Sequence, residues 1–276
     1  MDFISGDKFV GISNYIYNIK GNADDYYNYN NTLDINVINN SVNVPIIYTS
    51  TTLVESLFSQ LKNCRKDIIL LTHNSDHSID ENIFQQKPDC VIKWYAQNVN
   101  YDNPILIPIP IGLENSRWFV KEQKIFNLKE ITKTDKQLKN LVYLNLNIKT
   151  NVDVRQPIYD MLKNKKYVTT EYGRNGTSFN NYLKNLYNHS FMVCPEGNGI
   201  DVHQPWESMH VNTIPIQKKN KNNRNWRELP VCWLDDWAQL EDEDFLLSEY
   251  DRITNTEYDT SKLYFNYWKN KILNNI

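Results

Sequence analysis

The sequence contains no apolar run approaching the ~20 residues that a membrane-spanning helix requires. Its opening, MDFISGDKFVGIS, has no charged region followed by an apolar one, so no secretory leader is read there. Both absences lead to the expectation of a soluble, cytoplasmic protein. The four cysteines, Cys64, Cys90, Cys194 and Cys232, form no CxxC pair. Each lies in or beside an apolar run, which fits reduced, buried thiols rather than disulfides or zinc ligands. The net charge is −3 over 276 residues, so there is no broad basic field to hold nucleic acid. No GxGxxG follows an early strand, which argues against an NAD-dependent oxidoreductase. No GxxxxGK[ST] occurs, which removes P-loop phosphotransfer. No internal repeat is found.

What is present is a folded core, 41% hydrophobic, and from residue 44 onward a regular alternation of elements. VPIIYTS, DIILLTHNSD, CVIKWYAQNV and ILIPIPIGLE read as strands, with helical spacing in TLVESLFSQLKN and SIDENIFQQ between them. Ser78 or Asp80 is expected to cap the second of these helices. A charged stretch at 117–139 serves as a boundary, after which the alternation restarts. NLVYLNLNI, YVTTEYG, FMVCPEG, TIPIQ and PVCWLDDW read as strands. VRQPIYDMLKN, with Pro157 in its first turn, SFNNYLKNLYNHS and a C-terminal TSKLYFNYWKNKIL read as helices. Such alternation predicts parallel sheets flanked by helices, here as two Rossmann-like lobes facing a cleft. The expected division is 1–125, 126–255 and a C-terminal helix over 256–276 that packs back on the first lobe. Little can be placed in residues 1–43. The basic run QKKNKNNRNWR at 217–227 reads as a solvated loop.

Ligands of parallel sheets bind beyond the carboxyl ends of the strands. Four polar clusters fall there: THNSDH (72–77), GLENSRW (112–118), NLNIKTNVDVR (145–155) and PEGNGIDVHQPWE (195–207). In the last, Gly197 and Gly199 permit φ > 0 and close approach of a ligand. Asp201 can cap the following helix, whose N-terminus favours a phosphate or diphosphate. His203 and Glu207 are four apart and share a helix face, and a carboxylate one turn into the helix suits two ribose hydroxyls. A glycine turn with a cap and a solvated glutamate is the simpler alternative; the full constellation favours a nucleoside diphosphate.

SFMVCPEGNGIDVHQPWESMHVNTIPI, followed by WRELPVCWLDDWAQL, resembles the core of exostosin-like glycosyltransferases. ILIPIPIGLENSRW and LLTHNSD resemble segments of related bacterial and viral enzymes. The resemblance implies an α/β GT-B fold, with an acceptor lobe followed by a nucleotide-sugar lobe. It also implies an inverting transfer from a nucleoside-diphosphate sugar, UDP-sugar favoured, to a glycan or glycoprotein hydroxyl, without an obligatory metal or other cofactor. The donor-binding candidates are Arg155, Asn147, Glu196, Gly197, Asn198, Gly199, Asp201, His203, Gln204 and Glu207. Gln204 stands where the family pattern often has arginine, and a neutral amide cannot offset phosphate charge. Arg155 is therefore the expected cation, with Arg174 and Lys149 in reserve. Asn212 replaces a usual glycine. The catalytic base is expected among Asp76, His73 and Glu114, in that order, although Asp76 also suits a helix cap and His73 a buried structural histidine. Trp94 and Tyr95 are read as core rather than as sugar platforms. Asp235 and Asp236 carry little weight as a metal pair. A GDP-sugar, fucosyltransferase-like enzyme and an inactive nucleotide-sugar or glycan-binding protein are the alternatives.

Overall fold

The computed structural model describes residues 2–19, 31–115, 124–173 and 178–274. Among these, two five-stranded sheets, every pairing parallel, and ten α-helices make a mixed α/β protein. The first sheet contains β1 (Tyr15–Tyr17), β2 (Ile46–Ser50), β3 (Ile68–His73), β4 (Val91–Ala96) and β5 (Leu106–Pro108), in spatial order 1-2-3-4-5. Around it lie α1 (Gly6–Gly11), α2 (Ile35–Asn39), α3 (Val54–Gln60) and α4 (Glu81–Gln85). The second sheet contains β6 (Asn140–Asn145), β7 (Val168–Glu171), β8 (His189–Val193), β9 (Ile214–Lys218) and β10 (Cys232–Leu234), in order 7-6-8-9-10. Its helices are α5 (Lys124–Ile131), α6 (Val152–Leu162), α7 (Phe179–Tyr187), α8 (His203–His210) and α9 (Glu243–Thr254). The last helix is α10 (Phe265–Leu273).

Strand order decides which faces the helices cover. Parallel crossovers are right-handed, so a sheet whose strands step in one direction receives its crossover helices on one face. In the first sheet α3 and α4 lie together on the outer face, where Leu57, Phe58 and Phe84 meet Ile47, Leu70, Trp94 and Ala96. In the second sheet the order reverses at β6. Thus α6 and α9 cover the outer face with Ile158, Leu162, Leu246 and Ile253, while α7 and α8 take the inner one. Alternate residues along each strand point to opposite faces. Ile46, Tyr48, Ile69, Leu71 and Tyr95 of the first sheet, and Tyr143 and Met192 of the second, therefore enter one shared central core.

The first sheet has no crossover helix of its own on that inner face. Cover comes from α1 and α10. Phe9 of α1 meets Phe265 of α10 edge-on at 5.2 Å, and Tyr95 donates its hydroxyl to the carbonyl of Lys271. The Phe265 amide donates to the Asp2 carbonyl at 3.0 Å. Three tryptophans, each no more than 1% exposed, then join the lobes. Trp206 of α8 packs on Trp226 at 5.5 Å, and Trp226 packs on Trp268 of α10 at 6.1 Å, both edge-on.

Several expectations change. The basic run at 217–227 is not a solvated loop: Asn222, Asn223 and Trp226 are buried. Asn222 Oδ1 accepts the Val99 amide, Arg224 donates to the Leu106 carbonyl and the Asp102 carboxylate, and Asn225 donates to the Pro108 carbonyl. Its polar groups are held by the carboxyl edge of the first sheet. The stretch expected as a linker contains α5, which packs on α7. Helix α6 begins at Val152 under an Asn151 cap, so Pro157 falls in its second turn. Asp80, not Ser78, caps α4 through the Ile83 amide. Trp94 and Tyr95 are wholly buried.

Truncating Trp226 to alanine removes the middle of the tryptophan stack and should destabilise the protein by about 3–5 kcal/mol. Urea unfolding should show a single transition shifted to lower denaturant. Two transitions, one per lobe, would show that the shared core does not couple them.

Candidate functional site

A cavity of about 560 Å³ opens at the carboxyl edge of the first sheet. Ser50 closes β2 and Thr52 follows it, His73 closes β3 and Asn74–His77 follow it, Gln97 follows β4, and Ile111, Leu113, Glu114 and Asn115 belong to the loop after β5. Gly6 of α1 and His203 of α8 complete the lining. The three residues selected as base candidates, His73, Asp76 and Glu114, therefore share one cavity. His203, selected as a donor residue, joins them from the other lobe.

Their environments differ. His73 is buried, with Nε2 3.1 Å from the Pro110 carbonyl and Nδ1 3.0 Å from Asn74 Oδ1. Burial holds its pKa down to about 4, so the ring is neutral at pH 7. The neutral ring has a single N–H, so only one of these two oxygens accepts it, and both ring nitrogens face protein oxygens. Asn74, in the left-handed region at φ 56°, accepts from Asn115 Nδ2 and donates its amide to Gln97 Oε1. Asn115 Oδ1 in turn accepts the Asp7 amide. This polar net ties the ends of β3 and β4 to α1 and fixes the cavity wall. Asp76 lies exposed at the rim, and Glu114 is half-buried. His203 directs Nδ1 to the Gly112 carbonyl at 2.7 Å. Gly112 has φ 67°, and a Cβ there would stand 2.4 Å from the Ile4 carbonyl oxygen, so no other residue fits that turn.

The loop between β8 and α8 is built differently from its sequence reading. Gly197 and Gly199 are not among the positive-φ glycines; close side-chain approach explains them. A Cβ on Gly197 would lie 2.9 Å from Arg155 Nη2, and one on Gly199 would lie 2.8 Å from Asn98 Nδ2. Arg155 is buried and donates to the carbonyls of Pro195 (3.1 Å), Glu196 (2.8 Å) and Asn147 (3.1 Å). It fills the crevice between β6 and β8, where strand order reverses and a ligand is expected. Burial lowers its pKa. Asp201 does not cap α8, which starts at His203 after Val202. Its carboxylate instead accepts the amides of Ile111 (2.7 Å) and Val202 (3.0 Å) and the indole of Trp206 (3.1 Å). Its own amide donates to Asn98 Oδ1. Glu207 has no exposure, lines neither this cavity nor the next, and accepts from the Tyr182 hydroxyl at 2.7 Å. Gln204 donates to the Asn145 carbonyl. The side chains of Asn147 and Asn198 are exposed, as is Lys149, and Arg174 lies outside the described residues.

A second cavity, about 370 Å³, opens at the carboxyl edges of β8 and β9. Ile158, Met161 and Trp237 supply its apolar surface, and Glu196, Gln217, Lys218 and Asn220 its polar one. Burial raises the pKa of Glu196, whose Oε1 accepts from Asn220. Lys219 is paired with Asp235 at 2.9 Å. Asp236 caps the turn Trp237–Glu241, so the two adjacent carboxylates serve separate structural partners. Among the described residues no three His, Cys, Asp or Glu side chains gather as metal ligands. No described helix is long and apolar enough to cross a membrane, and the four cysteines are free thiols.

Sequence reasoning gathered the first cavity but missed Gly6, Ser50, Thr52 and Gln97 in its lining. It also missed Lys218 and Trp237 in the second. The strand-end rule would have found Ser50 and Lys218, since each closes a strand. Gly6 and Asn98 gave no local signal. Compared with known protein families and with curated proteins, the chain matches none.

Burial pushes the Asp201 carboxyl up to about 7 against the pull of its three donors, from an ordinary value near ~3.9. Between those values the folded protein binds a proton that the unfolded chain does not. This group's contribution to stability therefore falls as pH rises, by about 1.4 kcal/mol per pH unit at most. Asp201→Asn should gain stability relative to wild type between pH 4.5 and 7.5 in urea titrations; parallel pH profiles would contradict the assignment. Arg155→Ala leaves three carbonyls without their donor and should lower the unfolding free energy by roughly 3 kcal/mol or more. An unchanged melting point would show that water replaces the guanidinium freely.

Proposed function

We propose that the protein is a glycosyltransferase of GT-B-like plan. It moves a sugar from a nucleoside-diphosphate sugar, UDP-sugar favoured, to a hydroxyl acceptor such as a glycan or glycoprotein. The observation that carries the reading is the pair of cavities at the carboxyl edges of two parallel sheets, divided by one short segment. Ile200 lines the second and His203 the first. Three residues of chain span at most about 11 Å, within the length of a sugar nucleotide. The second cavity, with Trp237 and Met161 for a flat ring, Gln217 for polar contacts and Lys218 for charge, suits the nucleoside and its phosphates. The first, with Asp76, Glu114, Gln97 and Ser50 among its lining residues, suits a polyhydroxyl acceptor.

Inverting transfer needs a base for the acceptor hydroxyl, stabilisation of the departing diphosphate and an in-line arrangement of the three groups. In this reading the acceptor oxygen attacks the anomeric carbon from the first cavity as the bond to the diphosphate breaks toward the second. Lys218, which lines the second cavity, receives the leaving charge. Arg155 acts from within, by holding the Pro195, Glu196 and Asn147 carbonyls in place.

The three carbonyl bonds of Arg155 and the Asn145 bond of Gln204 favour a second reading. With both side chains engaged by the protein, the chain would bind a nucleotide sugar or glycan without turning it over. Nucleotide binding tests the shared part. UDP or GDP at a hundredfold excess over Kd adds about 2.7 kcal/mol of stability, visible as a rise in Tm, and Trp237→Ala should weaken that binding at least tenfold. Release of nucleoside diphosphate from UDP- and GDP-sugars, undiminished by chelator, separates the two readings. Binding without release favours the second, and no binding of any nucleotide sinks both.

A further inference from the structure

We infer that His203 is the general base of the proposed transfer, an assignment that rests on the transferase reading. The ring is fixed by one bond that leaves a single choice of tautomer. A carbonyl oxygen can only accept, so the 2.7 Å contact between Nδ1 and the Gly112 carbonyl places the hydrogen on Nδ1. In the neutral ring Nε2, on the opposite edge, then carries the lone pair. His203 lines the first cavity, and its ring is held at both ends. Its backbone opens α8, and its partner Gly112 sits in a turn that admits only glycine. Two residues earlier, Asp201 ties the same segment to Ile111.

The other candidates are less suited. His73 is buried, and each of its ring nitrogens faces a protein oxygen. Asp76 lies exposed at the rim, and among the described residues no hydrogen bond fixes its carboxylate. Position favours His203 as well. It stands on the segment that divides the two cavities, where a sugar held from the second would meet a hydroxyl held in the first.

The step balances as follows. The acceptor O–H gives its proton to Nε2. The acceptor oxygen forms the new bond to the anomeric carbon. The bond from that carbon to the diphosphate oxygen breaks, and the nucleoside diphosphate leaves with the electron pair. His203 becomes an imidazolium, with Nδ1–H on Gly112, and returns its proton to solvent after release.

The test uses the full chain with UDP-glucose, UDP-galactose, UDP-N-acetylglucosamine, GDP-mannose and GDP-fucose, with and without simple sugars as acceptors, and reads nucleoside diphosphate release. His203→Asn keeps a donor for the Gly112 carbonyl but offers no base. It should lose 10²–10⁴-fold in kcat, with UDP or GDP affinity by calorimetry within twofold of wild type. Asp76→Asn should lose less than tenfold. Loss below tenfold in His203→Asn, or a greater loss in Asp76→Asn, overturns the assignment and leaves the transferase reading standing. Failure of the wild type to turn over any donor overturns the transferase reading and the assignment with it. Long-range nitrogen–proton NMR on the wild type needs no variant: a hydrogen on Nδ1 of His203 supports the assignment, and one on Nε2 overturns it.

Discussion

A sheet whose strands all step the same way receives its crossover helices on one face and leaves the other bare. Much of this structure follows from that constraint in the first sheet. Its inner face carries Ile46, Tyr48, Ile69, Leu71 and Tyr95, which must leave water. At roughly 25 cal/mol per Å² of apolar surface, such a face cannot remain open in a stable protein. The chain covers it with α1 and α10, and links that cover to the second lobe through Trp206, Trp226 and Trp268. The second sheet reverses at β6 and so carries helices on both faces. It is more nearly complete in itself, and it lends α7 and α8 to the common core.

The same arrangement sets the site. Because the lobes share a core, the loops at their carboxyl edges are held together by internal bonds. Asp201 joins Ile111, Val202 and Trp206; Asn98 joins Ser75 and the Asp201 amide; Arg224 joins Asp102 and Leu106. Charges that look free in the sequence are structural braces. The space left for ligands lies on either side of the braced segment. A buried carboxylate near neutrality is a costly brace, and the three donors around Asp201 offset part of that cost.

The strands from residue 44 onward were legible because most are buried on both faces and read as apolar runs, as in IILLTH of β3. The first cavity was legible through topology: polar residues after parallel strands converge whatever their partners. The interior of the 194–207 loop was not legible. Whether a glycine admits a ligand or an arginine depends on Arg155, some forty residues away in sequence, and Asn98, about a hundred away. Local spacing carries no information about which of these arrives. Helix α1, with glycine at both ends and only Phe9 and Val10 as buried apolar residues, forms against β3 rather than by its own propensity. Helix α9 was legible, with an Asp242 cap and Phe245, Leu246, Tyr250 and Ile253 at helical spacing, yet it was not read from the sequence.

The pairing of α1 with α10 bears on how the protein is made. The strands of the first sheet are complete at Pro108, whereas α10 begins at Phe265. At synthesis rates of about 5–20 residues per second, the intervening chain takes roughly 8–30 s to emerge. During that interval the inner face of the first sheet lacks its last cover, although its strands can already pair. Of the two lobes, the earlier to be synthesised is therefore the later to be finished. Until α10 arrives, that face is transiently exposed apolar surface, the kind that makes folding intermediates prone to aggregate.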